Sequence, residues 1–178
     1  MNRLFKRLCI IGLGQIGSSI AAAAKQKAIA EHLIGYSRTK KTLDEALELG
    51  IIDTAETSIK NAVKDCDIVI ICSPLSTYRT ILESISNHIA PNTIITDVGS
   101  VKECTINDAK SALTQEQLPY FIPAHPIAGT EKSGIAASNS ALFDSKTIIL
   151  TPFEATNDEA LTTLKTFWNY FDSNICIL

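Results

Sequence analysis

No run of five or more lysines and arginines occurs anywhere in the 178 residues. The 16 basic and 19 acidic side chains leave a formal net charge of only −3. A surface that holds nucleic acid or an anionic membrane needs a basic patch, so neither partner is expected. Apolar runs long enough to cross a bilayer, about 20 residues, are missing too; the run Ile68–Cys72 falls far short. The N-terminal MNRLFKRLCIIGLGQIG combines basic residues with an apolar stretch, yet glycines interrupt it and no small-residue cleavage site follows. It reads as a first strand. Paired cysteines are also lacking: the five, at 9, 66, 72, 104 and 176, show no CxxC and no metal-ligand spacing. Such an odd, scattered set argues against a disulfide framework or a metal site and fits buried, reduced thiols in the cytoplasm. Internal repeats and low-complexity linkers are absent. With 46% hydrophobic and 20% charged residues, disorder is excluded. The length suits one domain that buries roughly 70% of its extended surface.

What is present is an alternation of short apolar runs with amphipathic helical patterns, the signature of a parallel sheet with crossover helices. Strands are expected at Leu8–Ile11, Leu33–Tyr36, Asp67–Cys72, Thr93–Thr96, Tyr120–Ala124 and Thr147–Leu150. Helices are expected over Ile16–Ala28, from Leu43 to a stop at Gly50, and from Leu75 to Ile89, with Pro74 at the first helical position. Two more are expected over Glu103–Leu113 and along the Leu161, Leu164, Phe167, Trp168, Phe171 stripe, before a last apolar run, Ile175–Leu178. The fold class is therefore α/β, a doubly wound, mostly parallel sheet with helices on both faces.

Gly12-x-Gly14-x-x-Gly17 follows a strand and opens a helix, the context a dinucleotide fingerprint requires. Gly12 permits the tight turn, Gly14 lets a pyrophosphate reach the backbone, and Gly17 lets helix and strand pack closely. The helix N-terminus, with Gln15 and Ile16, favours the anion. The second strand ends in Tyr36-Ser37-Arg38-Thr39-Lys40-Lys41, and Ser37 stands where a carboxylate would normally bind the ribose hydroxyls of NAD. A serine followed by an arginine suits a 2′-phosphate, so NADP is expected over NAD. The alternative is a solvated helix start made of Arg38 and the two lysines.

Two further segments carry chemistry. In Asp97-Val98-Gly99-Ser100-Val101-Lys102-Glu103, Ser100 and Glu103 have capping-box spacing, which leaves the serine a proton to donate. His125-Pro126-Ile127-Ala128-Gly129-Thr130-Glu131-Lys132-Ser133-Gly134 follows the fifth strand. A histidine at a strand end is often structural, but Pro126 pins this one in extended backbone beside a polar, glycine-rich stretch. With strand order 3-2-1-4-5-6, every motif lies on the carboxyl edge of the sheet. Arg38 then falls on the adenosine side and Ser100 and His125 on the nicotinamide side. His32 and His88 read as surface residues.

Together GLGQIGSS from Gly12, DVGSVK over 97–102 and HPIAGTEKSG over 125–134 resemble the N-terminal domain of the prephenate/arogenate dehydrogenases. The resemblance implies an NAD(P)-dependent oxidative decarboxylase of tyrosine biosynthesis. It implies His125 as the catalytic histidine, Ser100 as its orienting serine, and Thr130 and Glu131 on the substrate side. Gly12, Gly14, Gln15, Ile16, Gly17, Ser37, Arg38, Cys72, Ser73, Pro74 and Gly99 are expected to hold the cofactor. Residues 1–178 are expected to be one NAD(P)-binding domain, with the family's C-terminal helical domain, which forms a homodimer, absent. Its docking wall would then be apolar, near the Trp168/Phe171 helix and Ile175–Leu178. For a dicarboxylate substrate the edge after His125 offers only Lys132, Lys102 lying along its helix. A nucleotide-binding module without catalysis and another small-substrate Rossmann reductase stay open beside the dehydrogenase.

Overall fold

The computed structural model describes residues 3–129 and 133–178. Its strands are β1 (Phe5–Ile11), β2 (Ala30–Tyr36), β3 (Thr54–Glu56), β4 (Ile68–Ile71), β5 (Ile94–Asp97), β6 (Phe121–Ile122), β7 (Ala124–Pro126), β8 (Thr147–Leu150) and β9 (Asn174–Ile177). The helices are α1 (Gln15–Gln26), α2 (Lys40–Glu48), α3 (Ile59–Val63), α4 (Tyr78–Ser86), α5 (Lys102–Ala112) and α6 (Asp158–Asn169). Six strands form a parallel sheet in the order β3-β2-β1-β4-β5-β6.

Alternation along the central strands sends side chains into two separate cores. Leu8, Ile10, Ile68 and Ile70 pack with the buried residues of α1 and α6 on one face. Cys9, Ile11, Val69 and Ile71 pack with those of α3, α4 and α5 on the other. A strand buried on both faces must be apolar throughout, which is why Leu8–Ile11 of β1 and all of β4 read as continuous hydrophobic runs. The expected doubly wound α/β fold is what the chain adopts.

Several local expectations need correction. The third strand of the sheet is the short, half-buried Thr54–Glu56, not Asp67–Cys72, which lies on the other side of β1 as β4. The expected strand Tyr120–Ala124 divides at Pro123, which has no N–H to give to a ladder. Beyond it, β7 pairs antiparallel with β8, and β8 pairs parallel with β9. Thr147–Leu150 therefore belongs to a second, three-stranded sheet. Pro74 precedes a 3₁₀ turn, Leu75–Thr77, before α4 begins at Tyr78.

The Trp168/Phe171 helix is not an exposed wall. Trp168 and Phe171 are buried, and both meet Phe143 and Phe167 in a ring cluster that reaches Phe5 through Phe167. Near this helix, Tyr170 and, at the β9 end, Ile177 and Leu178 are the large apolar side chains left exposed among the described residues. Among the cysteines, Cys9 and Cys66 are buried as expected, whereas Cys104 and Cys176 are exposed. His32 and His88 are half-buried, and the ring of His32 bonds Thr54 Oγ1 at 2.8 Å, tying β2 to β3. Among the described residues no helix is long and apolar enough to cross a membrane.

Candidate active site

The carboxyl ends of β1, β2, β4 and β5 share one edge because all four strands run parallel. At the end of β1, Gly12 holds φ at +97°, and a Cβ there would come within 2.8 Å of the Cys72 carbonyl oxygen. Only glycine accepts both the backbone conformation and the contact. Gly17 packs the start of α1 onto this turn, and Ser18 Oγ donates to the Gly14 carbonyl at 2.7 Å. Gly14, the N-cap of α1, is exposed, and a Cβ on it would meet no protein atom within 4 Å. The backbone there is open to an approaching ligand, at the positive end of a 12-residue helix.

Next to this turn lies a cavity of about 460 Å³, walled by Gly12, Ser37, Arg38, Cys72, Ser73 and Pro74. All six were predicted from the sequence. Tyr36, Thr39, Ile59, Thr77, Thr80 and Ile81 also line it and were not. The first turns of α4 supply several of them, and no sequence motif marks a helix whose polar face closes a neighbour's pocket. Ser37 Oγ accepts from the Thr39 N–H at 3.1 Å, and Arg38 is exposed. Ser73 and Thr77 hydroxyls bond each other at 2.9 Å. Burial raises the Cys72 thiol well above its ordinary value, so it stays protonated. An open glycine turn on a helix N-terminus beside a hydroxyl-lined cavity fits a dinucleotide.

On the other side of the edge, β5 ends in Asp97, which is fully buried. Its Oδ2 accepts from the Gly99 N–H at 2.9 Å and from Lys102 Nζ at 2.6 Å, and its Oδ1 accepts from the Ala124 N–H at 3.1 Å. Lys102 Nζ also donates to the Ala124 carbonyl at 2.7 Å. Lys102 therefore turns back into the protein instead of lying along its helix. Burial raises the Asp97 carboxyl above the usual range, and Lys102 and the two N–H groups oppose that shift. The same burial lowers the Lys102 ammonium, against the pull of Asp97.

His125 follows Ala124 directly, half-buried in β7 opposite Ile149. Desolvation lowers its imidazole below the ordinary value, the Lys102 charge lowers it further, and Asp97 acts the other way. The ring is thus neutral, a proton acceptor, at pH 7. Ser100 is exposed, and among the described residues its hydroxyl has no hydrogen-bond partner. The N-cap of α5 is Val101, with no side-chain cap, so Ser100 and Glu103 do not form the expected capping box. Gly99 is half-buried under Leu75 and Tyr78. Gln15 and Ile16 are half-buried at the start of α1, where Gln15 Oε1 is the nearest atom to a Cβ built on Gly129. Thr130 and Glu131, with Lys132, lie outside the described residues.

Sequence reasoning missed Asp97 and Lys102. A signal existed: a carboxylate ending an apolar strand must find a buried partner, and Lys102 is five residues on.

A doubly wound sheet with this glycine turn and cavity defines a Rossmann dinucleotide-binding domain. Residues 20–177 match the family described as prephenate dehydrogenase, nucleotide-binding domain, and the chain belongs to that family. It is 36% identical over 166 residues to a prephenate dehydrogenase of Bacillus subtilis, covering 93% of this chain and 44% of the relative. A cyclohexadienyl dehydrogenase of Zymomonas mobilis is 32% identical over 177 residues, 98% of this chain and 59% of the relative. Among solved structures, the prephenate dehydrogenase of A. aeolicus in complex with hydroxyphenyl propionate and NAD⁺ superposes with a TM-score of 0.89 at 31% identity. Arogenate dehydrogenase of Synechocystis superposes with a TM-score of 0.88 at 30% identity. Each of these two structures is matched over 97% of this chain and 59% of its own. The chain therefore spans about half the length of the relatives it matches.

Proposed function

We propose that residues 1–178 are the NADP-binding unit of a cytoplasmic prephenate or arogenate dehydrogenase of tyrosine biosynthesis. The observation that carries this is one continuous sheet edge with an open glycine turn at β1 and a neutral, half-buried His125 beyond β5. Family membership supports the substrate class. Gly12, Gly14, Gln15, Ile16 and Gly17 would hold the pyrophosphate, with Cys72, Ser73, Pro74 and Gly99 along the same edge. Ser37 and Arg38 would take the 2′-phosphate. The bound nicotinamide supplies the hydride acceptor for the ring carbon that bears the hydroxyl. His125 accepts the hydroxyl proton, and Ser100, whose hydroxyl has no partner among the described residues, orients that group. Oxidation of this ring ends in loss of CO₂ and aromatisation, so the chain needs no second catalytic group for that step. Thr130 and Glu131 would contact the substrate.

Lys102 is committed to Asp97 and Ala124, so it does not serve the substrate's carboxylates. Those would be met by a helical region of the family's kind, in a homodimer, outside residues 1–178.

Titrating NADP⁺ and NAD⁺ against the wild type and Arg38→Ala tests the cofactor assignment. NADP⁺ should bind more tightly, and the substitution should weaken it roughly tenfold to a hundredfold while sparing NAD⁺. Tighter NAD⁺ binding by the wild type, or equal losses for both, rejects the preference. Nucleotide binding with no turnover of prephenate or arogenate, even with the helical region present, would leave a binding module instead.

A further inference from the structure

Ala124 is gripped by one ion pair at both of its backbone polar groups. Asp97 Oδ1 takes its N–H and Lys102 Nζ takes its carbonyl, while Lys102 and Asp97 bond each other. Asp97 is fully buried and the Lys102 side chain keeps only 14% of its exposure. Two charges removed from water in this way cost free energy that well-packed apolar residues would not. A simple strand ladder would satisfy the same two backbone groups, yet Pro123 interrupts the ladder just before Ala124. The ion pair stands in for the missing ladder at the residue that precedes His125.

We propose that the Lys102–Asp97 pair is a positioning device for His125, fixing its backbone through Ala124 and keeping its imidazole in the proton-accepting form. This rests on the reading of His125 as the base. Among the described residues, Lys102 from α5 and Asp97 from β5 are the charges that act on His125. The ammonium repels a proton on the ring more strongly than the carboxylate attracts one. Removing the pair should therefore raise the imidazole.

NMR titration of the three histidines in the 178-residue protein reads this without any need for turnover. In Lys102→Met the His125 midpoint should rise by about one unit, while His32 and His88 stay in place. Lys102→Met alone leaves a buried carboxylate unpaired, so Asp97→Asn/Lys102→Met provides the charge-free comparison and should give a smaller rise, because the attraction of Asp97 is lost with the repulsion of Lys102. Lys102→Arg keeps the charge and should hold the midpoint low. Exchange of the Ala124 and His125 amides should quicken at least tenfold in the Met variants, with the β1 and β4 amides unchanged. An unmoved His125 midpoint in folded variants, or equal movement of all three histidines, overturns the proposal. Failure of the charge-free variant to fold also overturns it, because a purely structural pair explains that result. The base assignment is tested separately, by turnover of His125→Asn, so either idea can fall alone.

Discussion

Replacement of His125 by asparagine is expected to lower kcat by about 10²- to 10⁴-fold while leaving NADP⁺ affinity and the fold unchanged. Asparagine can hydrogen-bond the substrate hydroxyl but cannot carry its proton away. The fold should survive because, among the described residues, no side-chain hydrogen bond of His125 supports it, and the β7–β8 pairing runs through backbone. The measurement is prephenate- and arogenate-dependent NADPH formation, with the helical region present. Near-normal kcat would place the base elsewhere. The pH profile gives a second check: His125 is lowered by burial and then by Lys102, so its base form predominates at pH 7. The acid limb of kcat/KM should lie below the ordinary imidazole value of about 6.5 and disappear in His125→Asn. The unfolded chain takes up that proton more readily than the folded one. His125 therefore favours folding above about pH 6.5, and that contribution is lost as pH falls.

Ser100→Ala should cost less turnover than His125→Asn. The capping-box reading would add about 1 kcal/mol of lost stability. With Val101 as the N-cap and Ser100 exposed, stability should instead stay within about 0.5 kcal/mol.

How far the sequence could be read depended on how local each signal was. The Leu8–Ile11 part of β1 and all of β4 were legible because burial on both faces leaves no polar residue in those runs. The glycine turn was legible because three glycines at fixed spacing between a strand and a helix have few other uses. Thr54–Glu56 was not, since three half-buried residues with a charge among them carry no period. Its omission displaced β4 in the expected strand order, although Ser100 and His125 still fell on the correct side of β1. Pro123 did carry the signal that divides Tyr120–Ala124, and reading it would have separated β7 from the main sheet.

Partners far apart in the chain were the hardest to see. The 3.6-residue stripe of α6 identified an apolar face without naming what covers it; the answer is Phe143 and Phe5, from other segments. Trp168 Nε1 has no hydrogen-bond partner in that cluster, and rings stand edge-on around it. Lys102 looked like a helix-surface lysine because nothing in its own helix marks a buried partner, whereas its real partners, Asp97 and Ala124, are fixed by the β5–β7 junction.

The three glycines of the β1–α1 turn should separate into fold and ligand roles when each is given a methyl group. A Cβ on Gly17 would sit 2.0 Å from the Gly12 carbonyl oxygen and 3.0 Å from Cys72 Cβ. The oxygen is backbone, held at the end of β1, where the Gly12 N–H bonds the Tyr36 carbonyl at 2.9 Å. It can yield only if β1 or α1 shifts, so Gly17→Ala is expected to cost about 3 kcal/mol or more. At roughly 2–4 °C per kcal/mol for a chain of this size, Tm should fall by about 10 °C, and nucleotide binding should go with it. Gly14 is the opposite case. Its φ of −74° and ψ of −167° suit alanine, and the space around its missing Cβ is empty of protein. Gly14→Ala should therefore keep Tm within a degree or two and yet weaken NADP⁺ by at least tenfold, because the methyl group fills the space through which a pyrophosphate meets the backbone. Calorimetry and nucleotide titration on the two variants decide the matter. If Gly14→Ala binds nucleotide normally, the pyrophosphate lies elsewhere; if it unfolds as readily as Gly17→Ala, Gly14 serves the fold and the ligand role is lost.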